Sequence, residues 1–101
     1  MKNKIGDIWI ELTDRNGYRV YVLAGIERTA FLLAHIGTLG EPTPESVKAF
    51  GTTPAEEPKR YKRMNYAGIP HVTYIDSERR LHTIVPFELW HADKQKKQAG
   101  N

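Results

Sequence analysis

Thr29-Ala30-Phe31-Leu32-Leu33-Ala34-His35-Ile36, closed by Gly37, is the longest nearly uncharged run in the chain, and its conformation decides the fold. On a helical period, Ile26, Ala30, Leu33 and Gly37 form one stripe with Phe31 and Ala34 beside it, while Glu27, Arg28 and His35 fall on the other side. On a strand period, Ala30, Leu32, Ala34 and Ile36 face one way and Phe31, Leu33 and His35 the other, as in a strand buried on both faces. Alanine and leucine outnumber β-branched residues here, and Gly37 stands where a left-handed residue would end a helix, so a helix is expected. Either way the run is core, because burying each Leu, Ile or Phe contributes roughly 1.5–3 kcal/mol. His35 reads as a hydrogen-bonded histidine in the core or on its rim.

Upstream, Ile8, Ile10 and Leu12 alternate with Trp9 and Glu11, and Tyr18, Val20 and Val22 alternate with Arg19, Tyr21 and Leu23. These are two strands joined at Asp14-Arg15-Asn16-Gly17, where Asn-Gly is a hairpin signal. A two-residue loop pairs Leu12 with Tyr21. A three-residue loop ending in a left-handed Gly17 pairs Leu12 with Val20 and Ile10 with Val22, gathers the aliphatics on one face, and is the preferred register. Trp9 and Tyr21 then lie on the opposite face, where they either pack under another element or form an exposed protein-binding platform.

Downstream, Thr43-Pro44-Glu45 starts a short helix with Thr43 as N-cap, and Gly51 stops it. Residues 52–58 read as a connector. Lys59-Arg60-Tyr61-Lys62-Arg63-Met64-Asn65-Tyr66 follows, carrying four cations and two tyrosines but no acid, and is read as a basic connector. Val72 and Tyr74 alternate with His71, Thr73 and Ile75, and Leu81, Thr83 and Val85 with His82 and Ile84, giving a second hairpin. Pro86 ends it and opens a final helix through Phe87, Leu89 and Trp90 that fades into a polar tail. The resulting order predicts an α+β domain with two β-hairpins and two or three helices. An SH3-like β-barrel is the alternative, and follows if residues 29–36 are a strand.

The 101 residues fit one domain, 1–101, with mobile ends at residues 1–4 and 94–101. No cysteine is present, so there is no disulfide framework or thiolate metal site, which suits a cytoplasmic protein. No run approaches the roughly 18 apolar residues of a membrane span, so no membrane association is expected. Fifteen Lys and Arg against twelve Asp and Glu give +3, an excess that permits a polyanionic partner without requiring one.

The chemistry-bearing residues are sparse. His71 and His82, on neighbouring strands, are candidates for acid and base at a phosphodiester, but they lack metal-ligand spacing, and neither metal nor cofactor is expected. Gly6-Asp7-Ile8-Trp9 resembles the opening of the MazF-type endoribonuclease toxins over these four residues; the resemblance implies an SH3-like barrel and a small endoribonuclease. The arginine-rich segment of that family between its first two strands is reduced here to Asp14-Arg15-Asn16-Gly17. In the basic segment, Lys59, Arg60, Lys62 and Arg63 suit phosphates, and Tyr61 and Tyr66 suit unpaired bases. The expected function is a binding module without catalytic activity: first a protein-interaction adaptor or inhibitor of bacterial or mobile-element type using Trp9 and Tyr21, second a nucleic-acid-binding accessory protein using residues 59–66, third a small endoribonuclease.

Overall fold

The computed structural model describes residues 3–12 and 17–99. Seven strands and two helices follow in the order β1 (Ile8–Glu11), β2 (Tyr18–Ile26), β3 (Ala30–Leu39), α1 (Pro44–Phe50), β4 (Lys59–Lys62), β5 (Met64–Tyr66), β6 (Ile69–Ile75), β7 (Leu81–Pro86) and α2 (Phe87–Ala99). All pairings are antiparallel, in the order β4-β3-β2-β1-β7-β6-β5.

The deciding run is therefore a strand, which overturns the expected helix and with it the α+β class; the SH3-like barrel is the better description. Helix propensities among these residues differ by only tenths of a kcal/mol, whereas β3 buries both of its faces. Phe31 and Leu33 enter one hydrophobic cluster with Trp9, Tyr21, Leu23, Val72 and Ile84, inside the barrel. Ala34 and Ile36 enter a second with Ile10, Val20, Val22, Val47 and Phe87, between the outer face of the sheet and the helices. A helix presents one stripe to one core. A strand between two cores satisfies the whole run.

Gly37 stops nothing. A Cβ built on it would lie 2.1 Å from Phe50 Cζ, so the missing side chain is what lets the tip of the Phe50 ring of α1 reach β3. The first hairpin also differs from expectation. Its register is Ile8 with Val22, Trp9 with Tyr21 and Ile10 with Val20, so neither predicted pairing holds. The slip from the preferred register is two residues, and because side chains alternate every second residue, each still points to its predicted face. The turn residues 13–16 lie outside the described residues. Gly17 does have a left-handed φ of 93°, and a Cβ there would come within 2.8 Å of the Leu39 carbonyl oxygen.

The basic segment is not a connector but the strand that closes the barrel. Its first half, β4, pairs with β3 in the register Phe31 with Tyr61 and Leu33 with Lys59. Its second half, β5, pairs with β6 at the other end of the sheet. Arg63 lies between the halves and its N–H donates to Thr29 O. Across this seam the Tyr61 and Tyr74 ring centroids are 5.5 Å apart.

Several local expectations hold. Thr43 caps α1 in a capping box with Ser46, Pro44 opens the helix and Gly51 ends it. The second hairpin pairs Ile75 with Leu81, Thr73 with Thr83 and Val72 with Ile84. Its glycine-free turn is held by the Asp76 carboxylate, which accepts from the N–H groups of Glu78 and Arg80 at 2.8 and 2.9 Å, while Arg79 takes a φ of 64°. The final helix runs further than expected, through Ala99, with Lys94 paired to Glu41 and stacked on Trp90.

Candidate functional site

Alternation along β1 carries Glu11 to the same face as Trp9, into the barrel, where it is only 1 % exposed. A carboxylate in that position must be fully hydrogen-bonded, and the strands around it supply the donors. Tyr21 Oη from β2 donates to Glu11 Oε1 at 3.0 Å, and Tyr74 Oη from β6 donates to the same oxygen at 2.6 Å. His82 Nδ1 from β7 lies 3.1 Å from Glu11 Oε2, and His82 Nε2 lies 2.7 Å from Asp76 Oδ2. The His82 ring stacks on Tyr74 at 4.6 Å with an interplanar angle of 7°. Arg19 Nε completes the chain by donating to Tyr21 Oη at 3.1 Å.

The electrostatics follow from this geometry. The hydrogen bond to Asp76, with Glu11 on the other nitrogen, raises the His82 pKa above 6.5 against the opposing effect of burial. His82 and the Arg80 N–H hold the Asp76 carboxyl down at about 2. Burial and the Glu11 charge push both the Tyr21 and Tyr74 hydroxyls up, so they remain donors. His82 is thus clamped between two carboxyl groups, with both ring nitrogens engaged. A general base needs a free ring nitrogen, and this arrangement offers none. His71 stands on the opposite face of the sheet, its Nδ1 3.0 Å from Ile69 O, so the two histidines do not share a face. The cluster is a hydrogen-bonded polar network inside the barrel.

The candidate residues of the basic segment divide by alternation. Tyr61 turns inward against the barrel core, where burial pushes its hydroxyl pKa up. Arg60 Nε and Nη2 grip the Glu27 carboxylate at 2.8 and 3.0 Å. Arg63 Nη1 donates to Glu27 O at 2.8 Å, and its guanidinium lies 4.6 Å from the Phe31 ring centre. Lys59, Lys62 and Tyr66 are exposed, Tyr66 by 78 %. The other pair of candidates, Trp9 and Tyr21, is buried in the barrel core, beyond the reach of a partner meeting the folded domain. His35, with its ring nitrogens buried, lies 3.3 Å from Glu56 Oε1 in a contact outside hydrogen-bonding geometry.

Exposed apolar side chains gather elsewhere. On β6, Val72 and Tyr74 point inward, so Ile69, His71, Thr73 and Ile75 point outward. On β7, His82 and Ile84 point inward and Leu81 and Thr83 outward. On β5, Met64 and Tyr66 stand opposite His71 and Ile69 and share their face. The helices pack over Ile10, Val20, Val22 and Ile36, and leave this face bare. Among the described residues, five of the eight exposed large hydrophobics, Met64, Tyr66, Ile69, Ile75 and Leu81, lie on it, with Ile75 and Leu81 directly paired and 68 % and 69 % exposed.

A concavity of about 490 Å³ lies between α1, α2 and the start of β1 over an apolar floor that includes Ile8, Val47 and Phe87. Asp7 on its rim accepts from the Lys4 N–H. Among the described residues, no helix is long and apolar enough to cross a membrane.

The chain matches no family model, no curated protein and no solved structure. Its site must be read from its own geometry. The sequence signal for the polar core was Glu11, a carboxylate sharing a strand face with Trp9; the bare face was legible only once β5, β6 and β7 were placed side by side.

Proposed function

We propose that the protein is a small interaction module that binds a protein partner through the outer face of β5, β6 and β7. The observation that carries this reading is the concentration of Met64, Tyr66, Ile69, Ile75 and Leu81 on one uncovered sheet face. Apolar side chains scattered singly over a surface need no explanation, whereas their gathering on one uncovered face, as two groups at the two ends of β6 with His71 and Thr73 between them, supports an interaction site. Exposed cations flank the patch, Lys62 on the strand leading to Met64 and Arg79 in the turn leading to Leu81. The complementary partner surface is apolar at its centre and acidic at its margin.

The test uses the folded domain as bait with three variants matched for melting temperature. Ile75→Asp and Leu81→Asp abolish capture of the partner. Ile5→Asp, equally exposed but off the patch, does not. Capture that survives both patch changes refutes the reading.

Nucleic-acid binding is the second reading, favoured by one observation: Tyr66 on β5 stands exposed close in sequence to the exposed Lys59 and Lys62 on β4. It ranks below the first because Tyr61 faces the core and Arg60 and Arg63 are held by Glu27. Single-stranded RNA binding that weakens steeply with salt and is lost in Tyr66→Ala would reverse the order.

A further inference from the structure

Beyond the pair of Leu33 with Lys59, the chain entering β4 leaves the β3 ladder and returns to it at a single residue. Residues 52–58 are exposed throughout. Among the described residues their backbone makes two hydrogen bonds, both to one acceptor: the Ala55 and Glu56 N–H groups donate to His35 O at 2.8 and 3.3 Å. The side chains meet at the same place, with His35 Nδ1 3.3 Å from Glu56 Oε1. Pro54 and Pro58 have no N–H with which the segment could zip further along β3. The segment is a strap held at one point, and that point is His35.

Beneath the strap, the His35 ring lies against the Tyr21 ring, centroids 5.5 Å apart, at the end of the barrel where β4 begins. The hollow left there is only about 10 Å³, so the strap is closed on the ring. The charged and titratable groups lining it are Arg19 and Tyr21 from β2, Glu56 and Glu57 from the strap, and Lys59 and Tyr61 from β4. Two cations offset two carboxylates, and Arg19 Nε is already given to Tyr21 Oη. Glu56 is the carboxylate within ion-pair distance of the ring.

We propose that His35 is a pH-sensitive latch: its protonated ring holds residues 52–58 closed over the end of the barrel, and its neutral ring releases them. Closed and neutral, the ring keeps two buried nitrogens without a hydrogen bond, which is costly, and lifting the strap gives them water. Closed and protonated, it gains an ion pair through Nδ1–H with a carboxylate already in place. Imidazole is the side chain whose charge ordinarily changes between pH 5 and 8. Closure is therefore complete with the ring charged and is lost as rising pH neutralises it. The latch goes beyond the partner-binding reading, since it lies on β3 and the approach to β4 and uses nothing on the outer face of β5, β6 and β7.

The test is nuclear magnetic resonance of the whole labelled chain between pH 5 and 8, following the His35 ring signals and the exchange of the Ala55 amide relative to an unstructured chain at each pH. Ala55 protection should fall roughly two- to fivefold as pH rises, the range of a part-exposed ion pair, with the same midpoint as the His35 ring. Glu56→Gln keeps the shape of an exposed side chain and removes its charge: circular dichroism stays unchanged, His35 still titrates and Ala55 protection no longer follows it. His82→Gln, which removes the other carboxyl-bound histidine, leaves the Ala55 response in place. Ala55 protection that is flat in wild type, rises with pH, or follows a midpoint other than that of His35 overturns the proposal, and these wild-type readings decide it even if a variant fails to fold. A response that survives in Glu56→Gln, or disappears in folded His82→Gln, overturns it as well.

Discussion

The outer face of the sheet divides into two halves built from the same alternating strands but finished differently. Over β1, β2 and β3 the outward side chains Ile10, Val20, Val22, Ala34 and Ile36 are roofed by α1 and α2. Over β5, β6 and β7 the outward side chains Met64, Tyr66, Ile69, Ile75 and Leu81 meet solvent. Hydrophobic alternation alone does not distinguish the two, because a half-buried strand and a strand awaiting a partner have the same pattern. The difference arises from where the helices fall in the chain. α1 hangs from the end of β3, and α2 leaves the end of β7 to pack back across β1. Buried side chains are concentrated under the roof and inside the barrel, and the unroofed half is the face proposed for recognition.

The comparison can be broken by substitutions, beginning with the largest effects. Glu11→Ala leaves the Tyr21 and Tyr74 hydroxyls without their buried acceptor and His82 without one of its carboxylates, and should cost roughly 3–5 kcal/mol in denaturant unfolding. Glu11→Gln, which keeps one acceptor oxygen, should cost less. Leu33→Ala should cost roughly 2–5 kcal/mol by opening a cavity inside the barrel. Gly17→Ala, strained by its φ of 93° and its approach to Leu39, should cost about 1 kcal/mol or more. Ile75→Ala and Leu81→Ala on the bare half should stay within about 0.5 kcal/mol of wild type. A large loss at Ile75 or Leu81 would mean that this half is also core.

The His82 clamp adds a pH dependence that belongs to the barrel interior. Because the folded pKa of His82 is raised, its contribution is complete below about pH 6.5 and is lost as pH rises through the raised value. Asp76 acts at the other end: its carboxyl is held at about 2, so its contribution is present above the ordinary 3.8 and is lost as pH falls from there toward 2. Melting temperature should therefore be highest between roughly pH 4 and 6.5, and His82→Gln should flatten the alkaline limb. An unchanged alkaline limb in that variant would remove His82 as its source.

Much of the local structure was legible in the sequence, and the reason is that turns and caps are short-range. Thr43, Pro44 and Gly51 delimit α1 through contacts within a few residues, and the alternation of 71–75 and 81–85 sets the second hairpin. The run at 29–36 is a strand against its local propensity because the groups that bury its two sides, Trp9, Val72 and Ile84 on one and Ile10, Val47 and Phe87 on the other, are far away in the chain. The hairpin register lies two residues from the one its turn chemistry favours, since β7, on the far side of β1, also constrains the pairing. In the segment at 59–66 the charges were conspicuous and the alternation was not: Tyr61 looked like a partner for bases but sits inside the barrel. Glu11 is marked in the sequence only by sharing a strand face with Trp9; its partners come from β2, β6 and β7, far away in the chain.

The difference between the roofed and unroofed halves is tested most directly by methyl relaxation in the presence of a soluble paramagnetic agent. The methyl signals of Met64, Ile69, Ile75 and Leu81 should broaden strongly, while those of Ile10, Val20, Val22 and Ile36, outward on the same sheet, should persist. Protection of Ile75 and Leu81 equal to that of Ile10 and Val20 would contradict the account.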